Sequence, residues 1–200
     1  MRAALQIHSV YGDTVVCHKM IGSFPWKQHR ISRAQHLRFV WAQFTNLCYQ
    51  FEERYKLFLN LQHRTMATFK KKKTASISDG IKRIRKVLGP HIRQRGQNTH
   101  EWSTSNPHVE HFETIEFINS IEPQADGPLG NVAGQFRITR LLMRWEIETA
   151  IKFMEEMLLD TFEEQIPLLS ETATTFNELI EMSKAHQVTI KEGEITATRQ

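Results

Sequence analysis

The sequence predicts an all-α fold, a bundle of four to five long amphipathic helices with short β-hairpins at the two termini. Apolar residues recur every three or four positions over most of residues 32–186, which is the period of a helix. Ser, Asn and Pro stand where such segments begin, as they do at helix N-termini. An apolar share of 40% in 200 residues is enough to build one core without disulfides or structural metal.

The first long helix is predicted to begin at Ser32. Ser32 and Gln35 are spaced as a capping box, in which each side chain binds the backbone N–H of the other residue. The helix then carries one apolar stripe that runs over about six turns. The stripe comprises Leu37, Trp41, Phe44, Cys48, Phe51, Tyr55 and Phe58. We expect this stripe to face the core.

A second helix is predicted over residues 77–88. Its apolar face comprises Ile77, Ile81, Ile84 and Leu88. Gly89 and Pro90 should break or kink this helix, because proline lacks a backbone donor and clashes with the preceding turn. Asn106 and Pro107 are typical of the N-cap and first position of a third helix.

A loop and two further helices are predicted in the last third of the chain. Residues 122–131 combine Pro and Gly without an apolar pattern, which indicates a loop. Residues 136–165 carry two apolar rows, which is typical of a central helix. Pro167 should stop or bend that helix, and a last helix is predicted over residues 171–186.

The terminal segments alternate between apolar and polar residues. The first twenty residues do so around a Gly-containing YGD turn, and residues 187–200 do so as well, which predicts a hairpin at each end. The expected organisation is therefore an N-terminal extension over residues 1–31, a helical bundle over residues 32–186 and a C-terminal tail over residues 187–200.

The cysteine content and the hydropathy point to a cytoplasmic protein. Cys17 and Cys48 are far apart and lack CxxC spacing, which argues against a disulfide framework or a zinc site and fits a reducing compartment. No apolar run approaches the roughly 18 residues that cross a bilayer, and the N-terminus lacks the apolar core of a secretory signal. We therefore expect no membrane association.

Charge is strongly segregated along the chain. Residues 70–95 hold ten Lys or Arg and the single acid Asp79, whereas residues 144–181 hold ten acids and only Arg144 and Lys152 as cations. The basic segment could attract phosphate. The alternative is that basic and acidic segments pair with each other, within one chain or across a dimer.

Several common kinds of active site find no support. His108 and His111 share a helix face, but no His has Glu three positions before it, as a di-iron carboxylate bundle requires. A Gly-rich phosphate loop, a GxSxG motif and a setting for a Cys nucleophile are also missing from the sequence. We therefore expect neither a metal nor another cofactor.

Polar residues are most concentrated in the segment IRQRGQNTHEW, which begins at Ile92. Arg95 precedes His100 with four residues between them, and Arg93 precedes it with six. This segment resembles the HEPN superfamily of helical nucleotide-binding and RNA-cleaving domains, in which an Arg is followed by a His at this spacing near the end of a helix. The family commonly places Asn, Asp or His directly after the Arg, and here Gly96 occupies that position.

The same Arg and His spacing occurs elsewhere in the chain, so the preferred segment is chosen by its context. The other pairs are Arg2 with His8, Arg30 with His36, and Arg85 with His91. The segment at residues 92–102 follows the long first helix and a kinked second helix, lies among polar residues and adjoins the basic run. The likeness in helix order covers roughly residues 32–186, whereas the motif covers about a dozen residues.

The resemblance implies metal-independent RNA cleavage at a site shared by two protomers, and hence a homodimer. His100 would transfer a proton at the ribose 2′-hydroxyl or the leaving oxygen, and Arg95 would bind the phosphate in the transition state. An antitoxin-like protein partner is a further expectation, because members of the family often work beside one. The residues expected to bind the nucleic acid are Arg93, Lys82, Lys86 and Asn98.

A noncatalytic reading of the same residues stays open. Arg93 and Arg95 could cap helix carbonyls or pair with acidic helices, and His100 could be an ordinary loop residue. The chain would then be a helical interaction or scaffold protein.

Overall fold

The computed structural model describes residues 2–22, 31–68, 77–100, 106–121 and 131–185. Side chains are described there except at positions 2, 65–68, 77, 97–100, 162 and 164–185. Every described element is a helix, which confirms the all-α fold class. The helices are α1 (Arg2–Gly22), α2 (Arg33–Thr68), α3 (Ile77–Val87), α4 (Gly89–His100), α5 (Pro107–Ile121) and α6 (Val132–Ala185).

Helix α2 is the centre of the fold, and α1, α3, α4 and α5 all pack against it. The stripe predicted from the sequence is its buried face from Leu37 to Tyr55, and Trp41, Phe44 and Phe51 have no exposed surface. Burying large aromatic rings removes much apolar surface from water, which is the main force that holds the neighbouring helices on α2.

The start of α2 is fixed by side chains from two sources. Ser32 N–H donates to Gln35 Oε1 at 2.9 Å, and Gln35 N–H donates to Ser32 Oγ at 3.1 Å, which confirms the predicted capping box. The carboxylate of Glu116 on α5 accepts the N–H groups of Arg33 at 3.2 Å and Ala34 at 3.0 Å. Amides that the helix itself leaves unbonded are thus satisfied by another helix.

The hairpin predicted near the N-terminus is wrong, because residues 2–22 form the helix α1. The loose alternation hid a helical row that the structure buries against α2: Ala3, Ile7, Val10, Thr14, Cys17 and Ile21. Gly12 does not end the helix, which continues to Gly22. Burial of the row outweighs the β preference of the local residues. The hairpin predicted in residues 187–200 lies outside the described residues.

Helices α3 and α4 are separated at Leu88, which confirms the predicted break at Gly89 and Pro90. Backbone hydrogen bonds bridge the break, because Leu88 N–H donates to Ile84 O at 2.7 Å and Ile92 N–H donates to Leu88 O at 2.9 Å. Ile84 and Leu88 are fully buried. They anchor the pair of helices on the core side while their other faces meet solvent.

Helix α5 begins as the sequence predicts. The side-chain oxygen of Asn106 accepts the N–H groups of His108 at 3.0 Å and Val109 at 3.2 Å, so Asn106 is the N-cap and Pro107 the first helical residue. An ion pair between Arg38 and Glu113 ties α5 to α2. The predicted loop after α5 lies outside the described residues except for Asn131.

Helix α6 is one helix from Val132 to Ala185, so the prediction that a separate last helix follows Pro167 is wrong. A proline costs a helix one backbone bond and a clash with one preceding carbonyl, so the helical bonds on both sides of it are kept. The chain forms two compact units, Met1–Met157 and Leu158–Gln200. Within the first unit, the ring of Phe136 on α6 packs against the ring of Phe112 on α5, with 5.5 Å between the ring centres.

Candidate nucleic-acid interface

The outer surface of α3 is a row of exposed cations. Lys82 and Lys86 lie on the side of α3 opposite the buried Ile84, and Arg83 is exposed between that side and the core. Asp79 is the single acid in residues 77–100, and it lies 3.4 Å from the Lys82 ammonium. An exposed pair of this kind contributes little energy, so the surface stays positive.

Arg85 lies among these cations but is committed to a partner on α2. Its Nε and Nη2 both lie 2.8 Å from Glu52 Oε1, and the Glu52 side chain is only 5% exposed. A buried carboxylate needs such a partner because burial removes its hydration. The ion pair therefore fixes the orientation of α3 on α2 and uses one cation of the basic row.

Sequence reasoning missed this anchor. Glu52 directly follows Phe51 within the apolar stripe of α2, a position where a carboxylate is expensive unless a cation reaches it. The basic helix α3 is the obvious source of that cation, so an acid beside the core stripe was the signal that could have revealed the contact.

Arg95 is held against α2. Its guanidinium carbon lies 3.9 Å from the centre of the Tyr49 ring, and its Nε donates to Asn46 Oδ1 at 3.2 Å. Asn46 and Tyr49 are three residues apart on α2 and thus share a face. The stacking and the hydrogen bond restrict the orientation of the guanidinium.

Arg95 and His100 lie five positions apart on α4. Both belong to this helix, and positions five apart lie about 140° apart around a helix axis. The side chains of His100 and Asn98 lie outside the described residues. Arg93 is exposed on α4, so it extends the positive surface of α3 along the chain.

A buried aromatic cluster lies beneath α4. The His91 ring centre is 5.6 Å from that of Trp41 and 4.9 Å from that of Phe44. Burial lowers the pKa of His91, and a hydrogen bond with Gln94 partly opposes this effect. The contacts of His91 with these two buried rings support the position of α4 on α2.

The described residues hold no group of three or more His, Cys, Asp or Glu side chains that could bind a metal ion. His108 and His111 are exposed on α5. None of the helices, over the residues searched, is long and apolar enough to cross a membrane.

The geometry thus offers a positive, solvent-facing surface over α3 and α4, anchored from behind by Glu52, Ile84 and the Trp41 cluster. We call Lys82, Arg83, Lys86 and Arg93 the basic face. Such a surface can bind polyanions through their phosphates.

Comparisons with protein-family models, with curated proteins and with solved structures find no match for this chain.

Proposed function

We propose that this chain is an RNA-binding helical domain that contacts the phosphate backbone through the basic face. The observation that carries the proposal is the exposure of all four cations of that face together with a single acid in residues 77–100. We propose RNA as the polyanion because the segment that contains Arg95 and His100 resembles HEPN domains.

The way the basic face is mounted supports this function. Arg85 neutralises the one carboxylate of α2 that lies against α3, so Glu52 does not repel an approaching phosphate. Exposed Lys and Arg side chains stay hydrated until a ligand binds. Their flexible stems allow them to follow the irregular phosphate backbone of an RNA. We therefore expect affinity that depends on salt and shows little sequence preference.

The first experiment measures the binding of a fluorescently labelled single-stranded RNA to the full chain by anisotropy over a series of salt concentrations. Replacing Lys82 and Lys86 together by Gln removes two exposed cations from α3. We expect weaker binding and a slope of log affinity against log salt that is less steep by about 1.4, since each phosphate contact to a single strand contributes about 0.7.

The matched control removes two exposed cations from other helices, Lys19 of α1 and Arg54 of α2, also by replacement with Gln. This variant has the same net charge as the Lys82 and Lys86 variant. Equal loss of affinity in the two variants would mean that only total charge matters, and the basic face would then not be the binding site. If the parent chain does not bind RNA, the proposal is wrong and the alternative of a noncatalytic helical scaffold protein is favoured.

A second proposal is that bound RNA is cleaved without metal, with Arg95 and His100 supplied by two copies of the chain. The clamp that Tyr49 and Asn46 form around Arg95 favours it, because a phosphate in the transition state is stabilised best by donors whose orientation is already fixed. The angle of about 140° between the two positions on α4 is the reason for assigning them to different copies.

Labelled RNA incubated with the protein in EDTA tests this second proposal. We expect cleavage by the parent chain and its loss, by about two orders of magnitude or more, in Arg95→Ala and in His100→Ala. Mixing the two inactive variants should restore part of the activity, since a mixed pair regains one intact Arg and His across the two copies. Cleavage that both variants retain in full contradicts the proposal, while RNA binding through the basic face would stand.

A further inference from the structure

One face of α6 exposes large apolar side chains in the unit Met1–Met157. Ile138, Leu141 and Trp145 follow one another at spacings of three and four, and they are 53%, 64% and 67% exposed. The opposite side of the same helix is buried, with Met143, Ile147 and Met154 fully enclosed. Helix α6 therefore has two apolar faces here, and the bundle uses only one of them.

Four charged residues beside this exposed stripe are arranged about one position of α6, so that opposite charges lie at equal distances on either side of it. Arg137, Arg144, Glu148 and Glu155 are all exposed, and at about 100° per residue they lie within about 20° of one line along α6. The line runs positive, positive, negative, negative. Arg137 and Glu155 are equally far from position 146, and so are Arg144 and Glu148.

We propose that α6 is an interface between two copies of this chain, packed antiparallel about a two-fold axis near position 146. An antiparallel pair of helices places residues of the same flank opposite each other, at positions related by the axis. Arg137 then faces Glu155 of the second copy, and Arg144 faces its Glu148. The two-fold axis repeats both contacts, so four opposite-charge pairs border the interface.

The charges favour the antiparallel arrangement over a parallel one. A parallel pair about a two-fold axis along the helices places the two charge lines on opposite sides of the interface, so these Arg and Glu side chains would not pair across it. In the antiparallel arrangement Trp145 of each copy lies beside the axis, where the two indole rings can pack together. Leu141 and Ile138 extend the contact outward along the methylene groups of the second copy's side chains.

This inference does not depend on RNA binding, because it uses α6 and not the basic face of α3 and α4. The charges of this α6 line are felt by His18 of α1, whose pKa is lowered by burial and by Arg144, while Glu148 opposes the shift. The Glu148 carboxylate lies 2.9 Å from the Lys152 ammonium within its own chain, and the hydrogen bond with Lys152 lowers the pKa of this carboxyl.

Charge reversal tests the arrangement by sedimentation equilibrium of the full chain. We expect a dimer in the parent protein at concentrations up to about 100 µM. Arg144→Glu and Glu148→Arg alone should each weaken self-association by about tenfold, because each puts like charges opposite one another at two symmetric positions. The double variant carrying both changes should regain the parent dimer, since each new Glu faces a new Arg.

Mixing the two single variants gives an independent readout. A mixed pair has one copy with two Glu and one with two Arg at these positions, so it should associate more tightly than either variant does alone. Lys56→Glu on α2 is the control for a change of two charge units and should leave the dimer unchanged. Circular dichroism of each variant separates a folding defect from a loss of association.

Two results would overturn the proposal. A parent chain that stays monomeric over the whole concentration range shows that this face does not pair with itself and leaves it to a different protein. Self-association that is unaffected by Arg144→Glu, or a double variant as weak as the single ones, shows that copies meet through another surface.

Discussion

His91 illustrates how a single side chain can make the fold sensitive to acid. Its imidazole packs against the rings of Trp41 and Phe44. Burial lowers the pKa of this imidazole from its ordinary value of 6.5, and a hydrogen bond with Gln94 partly opposes this effect. Protonating His91 in the folded protein therefore costs more than in the unfolded chain.

The sign of the pH dependence follows from this difference. Because the folded pKa is below the unfolded one, the unfolded chain binds more protons as the pH falls, and the stability present above about pH 6.5 is lost as the pH falls through the folded pKa. Burial lowers the pKa values of His18 and His36 as well, so they act in the same direction. We expect the free energy of unfolding to decrease from neutral to mildly acidic pH.

Urea denaturation at a series of pH values measures this loss of stability. His91→Gln keeps a polar side chain but removes the titration, so the decrease between neutral and mildly acidic pH should become smaller. His108→Gln, at an exposed position on α5, is the matched control and should leave the decrease as it is in the parent. A profile for His91→Gln that coincides with the parent profile would show that His91 is accessible to solvent.

At the scale of an element, two glycines in helices give opposite predictions for the same change. A Cβ at Gly12 of α1 would meet nothing within 4 Å, whereas one at Gly80 of α3 would lie 3.1 Å from Tyr55 Cε1 and 3.2 Å from Leu59 Cδ1. Tyr55 and Leu59 are both buried on α2 and have little room to move. The close packing of α3 on α2 thus favours glycine at position 80, whereas the open surroundings of position 12 do not.

Gly12→Ala should raise the free energy of unfolding by about 0.5–1 kcal/mol, because alanine loses less backbone entropy in a helix. Gly80→Ala gains the same propensity but overpacks the contact with α2, and we expect a net loss of about 1 kcal/mol. Chemical denaturation of the two variants and the parent measures both values. Equal gains in the two variants would contradict the close packing of α3 on α2.

Local signals predicted helix starts well and helix identity less well. The structure confirms the predicted caps at Ser32 and Asn106, because a cap depends on residues only two or three positions apart in the sequence. The N-terminal helix was missed because β-branched residues and Gly12 suggest strands and a turn, whereas burial on α2 decides the outcome. The packing of α1 against α2, which stabilises the N-terminal helix, joins segments that are far apart in the sequence.

At the scale of the molecule, the cations of the basic face are exposed on α3 and α4, but the contacts that shape this surface were not predicted. Charge counts predict a positive face, since Lys and Arg are rarely buried. The pairing of Arg85 with Glu52 and the clamp of Tyr49 and Asn46 on Arg95 depend on how α3 and α4 cross α2. Spacing along one helix cannot reveal such contacts, which is why the chemical role of Arg95 stays a prediction.

The capping of α2 by Glu116 has a consequence for how the unit Met1–Met157 assembles. The longest-range bonds at the start of the central helix join residues 82 and 83 positions apart, so they form only after α5 has been made and docked. Until then, two of the first amides of α2 must rely on water. Helix α5 thereby closes the first turn of α2, and this links two helices that are far apart in the sequence into one cooperative folding event.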